Sequence, residues 1–196
     1  TPREWSILDY LVLHANTVVG KDKLLQAISG WDDNLAPNAI EVYVSRLRTK
    51  LEPTGVRIRT VTEGVYHDDE EGKKRGKNSI FVVEADGLTF VHLGDLGHEL
   101  TDDQVKEIGS VDVLMIPVGG IYTINGGTAK KVVAQLKPRL FVLPMHCATK
   151  VYEELLAVDE FLDGQKNVRK LTDANVLEIP LDTKPAAPSV VILGWQ

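Results

Sequence analysis

The chain has 196 residues, 43% hydrophobic and 26% charged, with a formal net charge of −6. That size and composition fit an ordinary globular protein of one large domain or two small ones. They exclude a transmembrane helix, since no apolar run approaches the ~20 residues that cross a bilayer, and a disulfide framework, since Cys147 is the single cysteine.

No signal-peptide pattern is visible, and a cytoplasmic setting is expected. The acid excess argues against nucleic-acid binding by the chain as a whole, but the charge is uneven. Residues 1–66 carry 8 basic and 8 acidic side chains, so the whole excess lies beyond them. Thr1, Pro2 and Glu4 form a helix-start signal, with a capping hydroxyl, a first-turn proline and a capping-box acid. Trp5, Leu8, Leu11 and Val12 then recur at helical spacing. A second helix is predicted from about Lys21 to Ile28, stopped by Gly30. A third opens at Pro37-Asn38 and runs to about Leu51. Its Ile40, Val44, Leu47 and Leu51 share one stripe at about 100° per residue. The opposite face carries Asn38, Val42, Ser45, Arg46 and Thr49, flanked by Tyr43, Arg48 and Lys50. A polar face with a central arginine and bordering cations suits a major groove, with Arg46 on a guanine edge and Arg48 and Lys50 on phosphates. A solvated amphipathic helix fits the same residues.

Three segments, Thr1–Glu4, Asn38–Val42 and Ser45–Leu51, set in the run to about Val61, resemble the effector domain of OmpR/PhoB-type response regulators. The resemblance implies a winged helix-turn-helix over residues 1–61. Helix 37–51 would be the recognition helix, 57–66 the wing with Arg57 and Arg59 facing DNA, and double-stranded DNA the partner. The wing departs from the family's Arg-Gly-x-Gly-Tyr: Thr62-Glu63-Gly64-Val65-Tyr66 lacks a cation and adds an acid, which weakens phosphate contact.

From Ser79 the periodicity changes. Ser79–Glu84 and Leu88–Leu93 read as strands joined at Ala85-Asp86-Gly87. A helix is predicted from Thr101 to Ile108, with Thr101 and Gln104 as a capping box. Val111–Pro117 is a buried strand, Thr128–Leu136 a helix and Leu140–Leu143 another buried strand. A helix around Val151–Phe161 and strands near Val176–Ile179 and Val190–Leu193 complete an α/β pattern. His67, Asp95 and His146 fall in loops after strands, and imidazole nitrogen and carboxylate oxygen both suit zinc. Asp95, set between Gly94 and Gly97, has little packing reason to be there, although a hydrogen-bonded loop residue remains the alternative for each.

The stretch from Tyr66 to Val105, together with Val113–Gly120 and Leu143–His146, resembles the C-terminal half of small metallo-β-lactamase-fold hydrolases. The resemblance covers about residues 56–180 and implies that His67, Asp95 and His146 are metal ligands, for zinc or manganese. His98 would be no ligand and His92 structural. The family's first motif, His-x-His-x-Asp-His, is absent, so the site is incomplete and hydrolysis by that route is in question.

The expected architecture is therefore a chimera: a winged helix-turn-helix (1–61), then half of an αββα sandwich (62–196), with strand 55–61 serving both. Half a sandwich would leave a sheet face bare, with Ile80, Val82 and Phe90 on it, at roughly 25 cal/mol per Å². A homodimer pairing those faces would cover it. DNA binding through helix 37–51 leads the functional expectations. Metal binding follows, and hydrolysis of an ester, lactone or phosphate comes last; a structural hybrid with neither activity is the third hypothesis.

Overall fold

The structure, a computed structural model, describes residues 3, 4, 6, 7, 10, 39–149, 152–171, 176–179 and 185–194. Asn38 and the helix predicted at 21–28 lie outside the described residues. The chain divides into two compact units, Thr1–Arg57 and Ile58–Gln196.

In the first unit, helix α1 (Ala39–Leu51) forms where the apolar stripe requires one. Ile40 is buried against Ile7, and Tyr10, Tyr43, Val44 and Leu47 pack around the pair. The carboxylate of Glu4 is buried and pairs with Lys50. Burial without a cation would be expensive, and the hydrogen bond to Glu4 in turn raises the Lys50 pKa. Gly55, at φ +83°, closes the turn that follows the helix.

The second unit is built on a sheet. Its strands are β1 (Arg57–Val61), β2 (Ile80–Ala85), β3 (Leu88–His92), β4 (Val113–Pro117), β5 (Phe141–Met145), β6 (Val168–Lys170) and β7 (Ser189–Ile192). Among the described residues they form one sheet in the order β1-β2-β3-β4-β5-β7-β6. β2 and β3 make an antiparallel hairpin with Ala85 opposite Leu88. Its turn residues Asp86 and Gly87 sit at φ +50° and +74°, which matches the twist of the flanking strands. β3, β4 and β5 run parallel, and β7 is parallel to both β5 and β6. Helices α2 (Asp102–Ile108) and α3 (Gly126–Leu136) supply the crossovers that parallel pairing needs. The predicted capping box is present at α2, with Thr101 and Gln104 each bonding the other's backbone.

Side-chain alternation divides the core. Leu114, Val142 and Val190 join one cluster with Ile108, Ala129, Val132 and Phe161, the last from helix α4 (Asp159–Leu162). Their neighbours Val113, Phe141 and Val191 join another with Leu140. A shift of one residue changes the face, the strand period, so these central strands are apolar on both sides. The same rule corrects the bare-face expectation. Ile80 and Val82 are fully buried in the helix-side cluster, whereas Phe90, opposite Val83, belongs to the other side. The reason given for pairing two copies through Ile80 and Val82 falls with it.

Two further differences have local causes. The helix expected over Val151–Phe161 is reduced to α4, because the Leu156 amide donates to Gly119 O and Leu156 O accepts from Ala148 N. Tertiary partners thus take groups that a helix would use. Residues 176–179 are in no strand, and β6 was not anticipated.

Asp112 ties the parallel strands together where they begin. Its buried carboxylate accepts from Thr89 N at 2.8 Å and from Arg139 Nη2 at 2.5 Å. Its main chain bonds Thr89 O, Leu140 N and Phe141 N. Asp112→Ala strands the Thr89 amide, so urea denaturation should show a loss of about 1–3 kcal/mol with no change of fold.

Candidate metal centre

In a parallel sheet, the chain leaves every strand at the same end, so functional loops gather at the carboxyl ends. Asp95 follows β3 and His146 follows β5. His67 comes from the long loop between β1 and β2.

That loop is shaped by one carboxylate. Asp68 is buried, and its Oδ1 accepts from Glu70 N at 2.9 Å and Gly72 N at 2.8 Å. Its Oδ2 accepts from Lys74 N at 3.0 Å and Arg75 N at 2.7 Å. Burial pushes the carboxyl pKa up, but the four amides together outweigh that and hold it at about 2. The base of the loop is closed by His67 N to Gly76 O, 3.1 Å. Gly97 packs against the base, where a Cβ would stand 2.3 Å from Asp68 N. His98 completes the clamp. Its Nε2 accepts from Tyr66 N at 3.0 Å, and Nδ1 lies 2.7 Å from Glu99 O. A carbonyl only accepts, so Nδ1 carries the proton and both ring nitrogens have protein partners. His98 is thus engaged by the main chain on both sides of its ring.

Asp95 is aimed by its backbone. Asn78 Oδ1 accepts from Asp95 N at 3.1 Å, and Asn78 Nδ2 donates to Leu93 O at 2.8 Å. Gly94, at φ +59°, makes this possible, because a Cβ there would stand 2.4 Å from Asn78 Oδ1. His92 Nδ1 accepts from Gly94 N at 3.0 Å. Burial pushes the His92 pKa down to about 4, helped by His146 and opposed by Asp95. This imidazole is neutral at neutral pH and lies within the field of both His146 and Asp95.

His146 occupies the left-handed region at φ +50°, a conformation that non-glycine residues adopt mainly where the surroundings enforce it. Gly119 permits the close approach beside it, since a Cβ there would stand 1.9 Å from His146 O. In the resulting arrangement His146 Nδ1 is 3.2 Å from Asp95 Oδ1, and His67 Nε2 is 3.9 Å from Asp95 Oδ2. The three sequence candidates thus meet around one carboxylate. His67 Nε2 is also buried with no hydrogen-bond partner, which is rare unless another ligand completes it. Two imidazoles and a carboxylate fit a transition metal in donor type. They do not make a finished site: among the described residues, no group of three or more His, Cys, Asp and Glu side chains could hold an ion as placed.

Of the residues expected to face DNA, some are exposed and others are engaged within the protein. Val42, Ser45, Arg46, Thr49 and Lys50 are exposed on α1, and Tyr43 and Arg48 are half-buried. Lys50 is paired with Glu4, the Tyr43 hydroxyl accepts from Arg3 Nη1 at 3.3 Å, and Thr49 Oγ1 bonds Ser45 O at 3.2 Å. Arg57 is exposed where β1 begins. The Arg59 guanidinium bonds Glu107 O at 2.6 Å and Ile108 O, a cation on the final carbonyls of α2. The strand proposed as a wing is instead β1, bonded to β2 in the sheet.

A family model described as a β-lactamase superfamily domain matches residues 14–146. A metal-dependent hydrolase of Pyrococcus abyssi is 38% identical over 160 residues, 76% of this chain and 70% of that protein. One from Pyrococcus furiosus is 35% identical over 121 residues, 59% of this chain and 53% of that protein. A solved Thermotoga maritima structure of the metallo-β-lactamase superfamily is 40% identical, with TM-score 0.61, covering 72% of this chain and 66% of that one. The chain spans between half and seven-tenths of the length of these curated relatives. The transcriptional regulatory protein TctD of Salmonella typhimurium is 34% identical over 76 residues, 39% of this chain and 34% of that protein.

These matches correct the DNA-binding reading. The family match begins at His14 and takes in most of the segment read as a winged helix. The relatives that span most of the chain are metal-dependent hydrolases, and the short regulator match shows no winged-helix domain. The chimera and response-regulator readings lose their support for the same reason.

Sequence reading found the three candidates but missed Asn78, Gly94 and Gly119, which aim two of them. Asn78→Ala should lower zinc affinity by about 10- to 100-fold, the usual penalty for losing an orienting partner, while thermal melting stays cooperative. Competition with a chromogenic chelator measures it.

Proposed function

Because the chain belongs to the β-lactamase superfamily, we propose that it is a metal-dependent hydrolase in which His67, Asp95 and His146 hold the metal. The observation that carries this reading is the unpartnered, buried His67 Nε2, 3.9 Å from the Asp95 carboxylate that also faces His146. Zinc suits two imidazole nitrogens better than an oxygen-seeking ion does, with manganese as the second candidate. A metal so bound supplies Lewis acidity and a water of lowered pKa, which suits hydrolysis of an ester, lactone or phosphate.

The chain's own residues perform the remaining tasks. Asp95 offers the carboxylate oxygens between the two imidazoles. Asn78 and Gly94 fix the direction of that carboxylate, and Gly119 fixes the backbone of His146. Asp68 and His98 hold the His67 segment without contacting the metal themselves. A catalytic zinc normally has three protein ligands and one open position, so these three suffice in number if the ion draws them together.

The test is zinc and manganese loading, exhaustive dialysis and elemental analysis of the wild type, Asp95→Ala and His146→Ala. The wild type should retain metal and cleave a p-nitrophenyl ester or bis(p-nitrophenyl) phosphate, and each variant should lose at least roughly tenfold in metal affinity. Equal retention by all three proteins, or none by the wild type, sinks the reading.

A further inference from the structure

Seven large hydrophobic side chains stand out as exposed among the described residues: Val42, Phe81, Ile121, Tyr122, Tyr152, Leu156 and Val176. Four of them lie in just two connections, the loop after β4 and the segment after β5. These connections pack on the candidate metal centre. Gly119 touches the His146 carbonyl, Leu156 N donates to Gly119 O at 2.8 Å, and the Leu156 side chain lies over Gly120. From the other side, Arg75 reaches across from the loop that begins at His67. Its Nη2 donates to Ile121 O at 3.0 Å, and its guanidinium lies 5.4 Å from the Tyr122 ring centroid. The loops of His67 and His146 are thereby joined through Ile121 and Tyr122.

Ile121 is held at φ +56°, the left-handed region that a β-branched residue ordinarily avoids, and the residue is 52% exposed. A strained backbone that presents an apolar side chain to water serves neither packing nor solubility. Strain of this kind persists where the surroundings enforce it, and it gathers at ligand clamps. Clustered exposed apolar groups mark binding grooves in the same way.

We propose that Ile121, Tyr122 and Leu156, tethered by Arg75, form a subsite for the hydrocarbon part of the substrate. The substrate class is then an ester or lactone carrying an acyl chain or aromatic group, rather than a bare phosphate. This rests on the hydrolase reading for the bond that is broken, and on Ile121, Tyr122 and Leu156 themselves for the group that is recognised.

The experiment is calorimetric titration of the full chain, with and without zinc, using octanoate, acetate and inorganic phosphate. Octanoate should bind at least about tenfold more tightly than acetate, since a few buried methylenes suffice for that. The double variant Ile121→Ser with Leu156→Ser should abolish the preference and leave acetate and phosphate binding as they were. Tyr122→Ser, a single exposed change, should reduce it and serves if the double variant misfolds. Equal affinity for octanoate and acetate in the wild type, or a preference that survives these variants, overturns the subsite. Absent metal uptake with the octanoate preference intact would instead remove the hydrolase reading and leave the subsite standing.

Discussion

A carboxylate set between two imidazoles will not stay there by packing, because each group would sooner face water. The main chain must hold all three, and here it does so through close backbone approaches. Gly94 lets Asn78 reach the turn that carries Asp95, Gly97 lets the His67 segment lie against the next loop, and Gly119 lets His146 sit on the β4 loop. At each of these glycines a Cβ would collide with backbone or with a fixed polar atom. The geometry of the centre is thus encoded mainly in residues that contribute no ligand.

The same economy governs the His67 loop. Asp68 accepts four amide hydrogen bonds, so a segment dense in charges of both signs closes on a single buried acid. Charge-assisted bonds from backbone amides are strong and leave few alternative loop shapes. Such a loop holds the backbone of His67, next to Asp68, in one place. At the opposite end of the sheet, Asp112 performs a similar task, fixing the starts of β3, β4 and β5. One buried carboxylate thus sets the ladder and another sets a site loop.

The first unit shows how a surface pattern misleads. The polar side of α1 has the residue types of a groove-reading helix, and its exposure agrees with the sequence reading. Yet Lys50, Tyr43 and Thr49 have partners within their own unit, and the relatives that span most of the chain are hydrolases. A cationic helix face reports solvent exposure before it reports a partner.

By itself, the sequence determined the elements whose signals are local. The periodicity of Ile40–Leu51, the Asp86-Gly87 turn, the Thr101–Gln104 capping box and the apolar runs of β4 and β5 all need only neighbouring residues to act. It also offered His67, Asp95 and His146 as candidates, from their places in loops after strands and from the family resemblance, with a hydrogen-bonded loop role as the alternative for each. Tertiary structure decided what depends on distant partners. It turned Ile80 and Val82 toward the helices and Phe90 away, and it took Arg59 to the end of α2. It shortened the Val151–Phe161 helix through the Leu156 amide, and it set Asn78 behind Asp95. Each of these rests on a contact between residues far apart in the chain, and no local periodicity or capping rule carries that information.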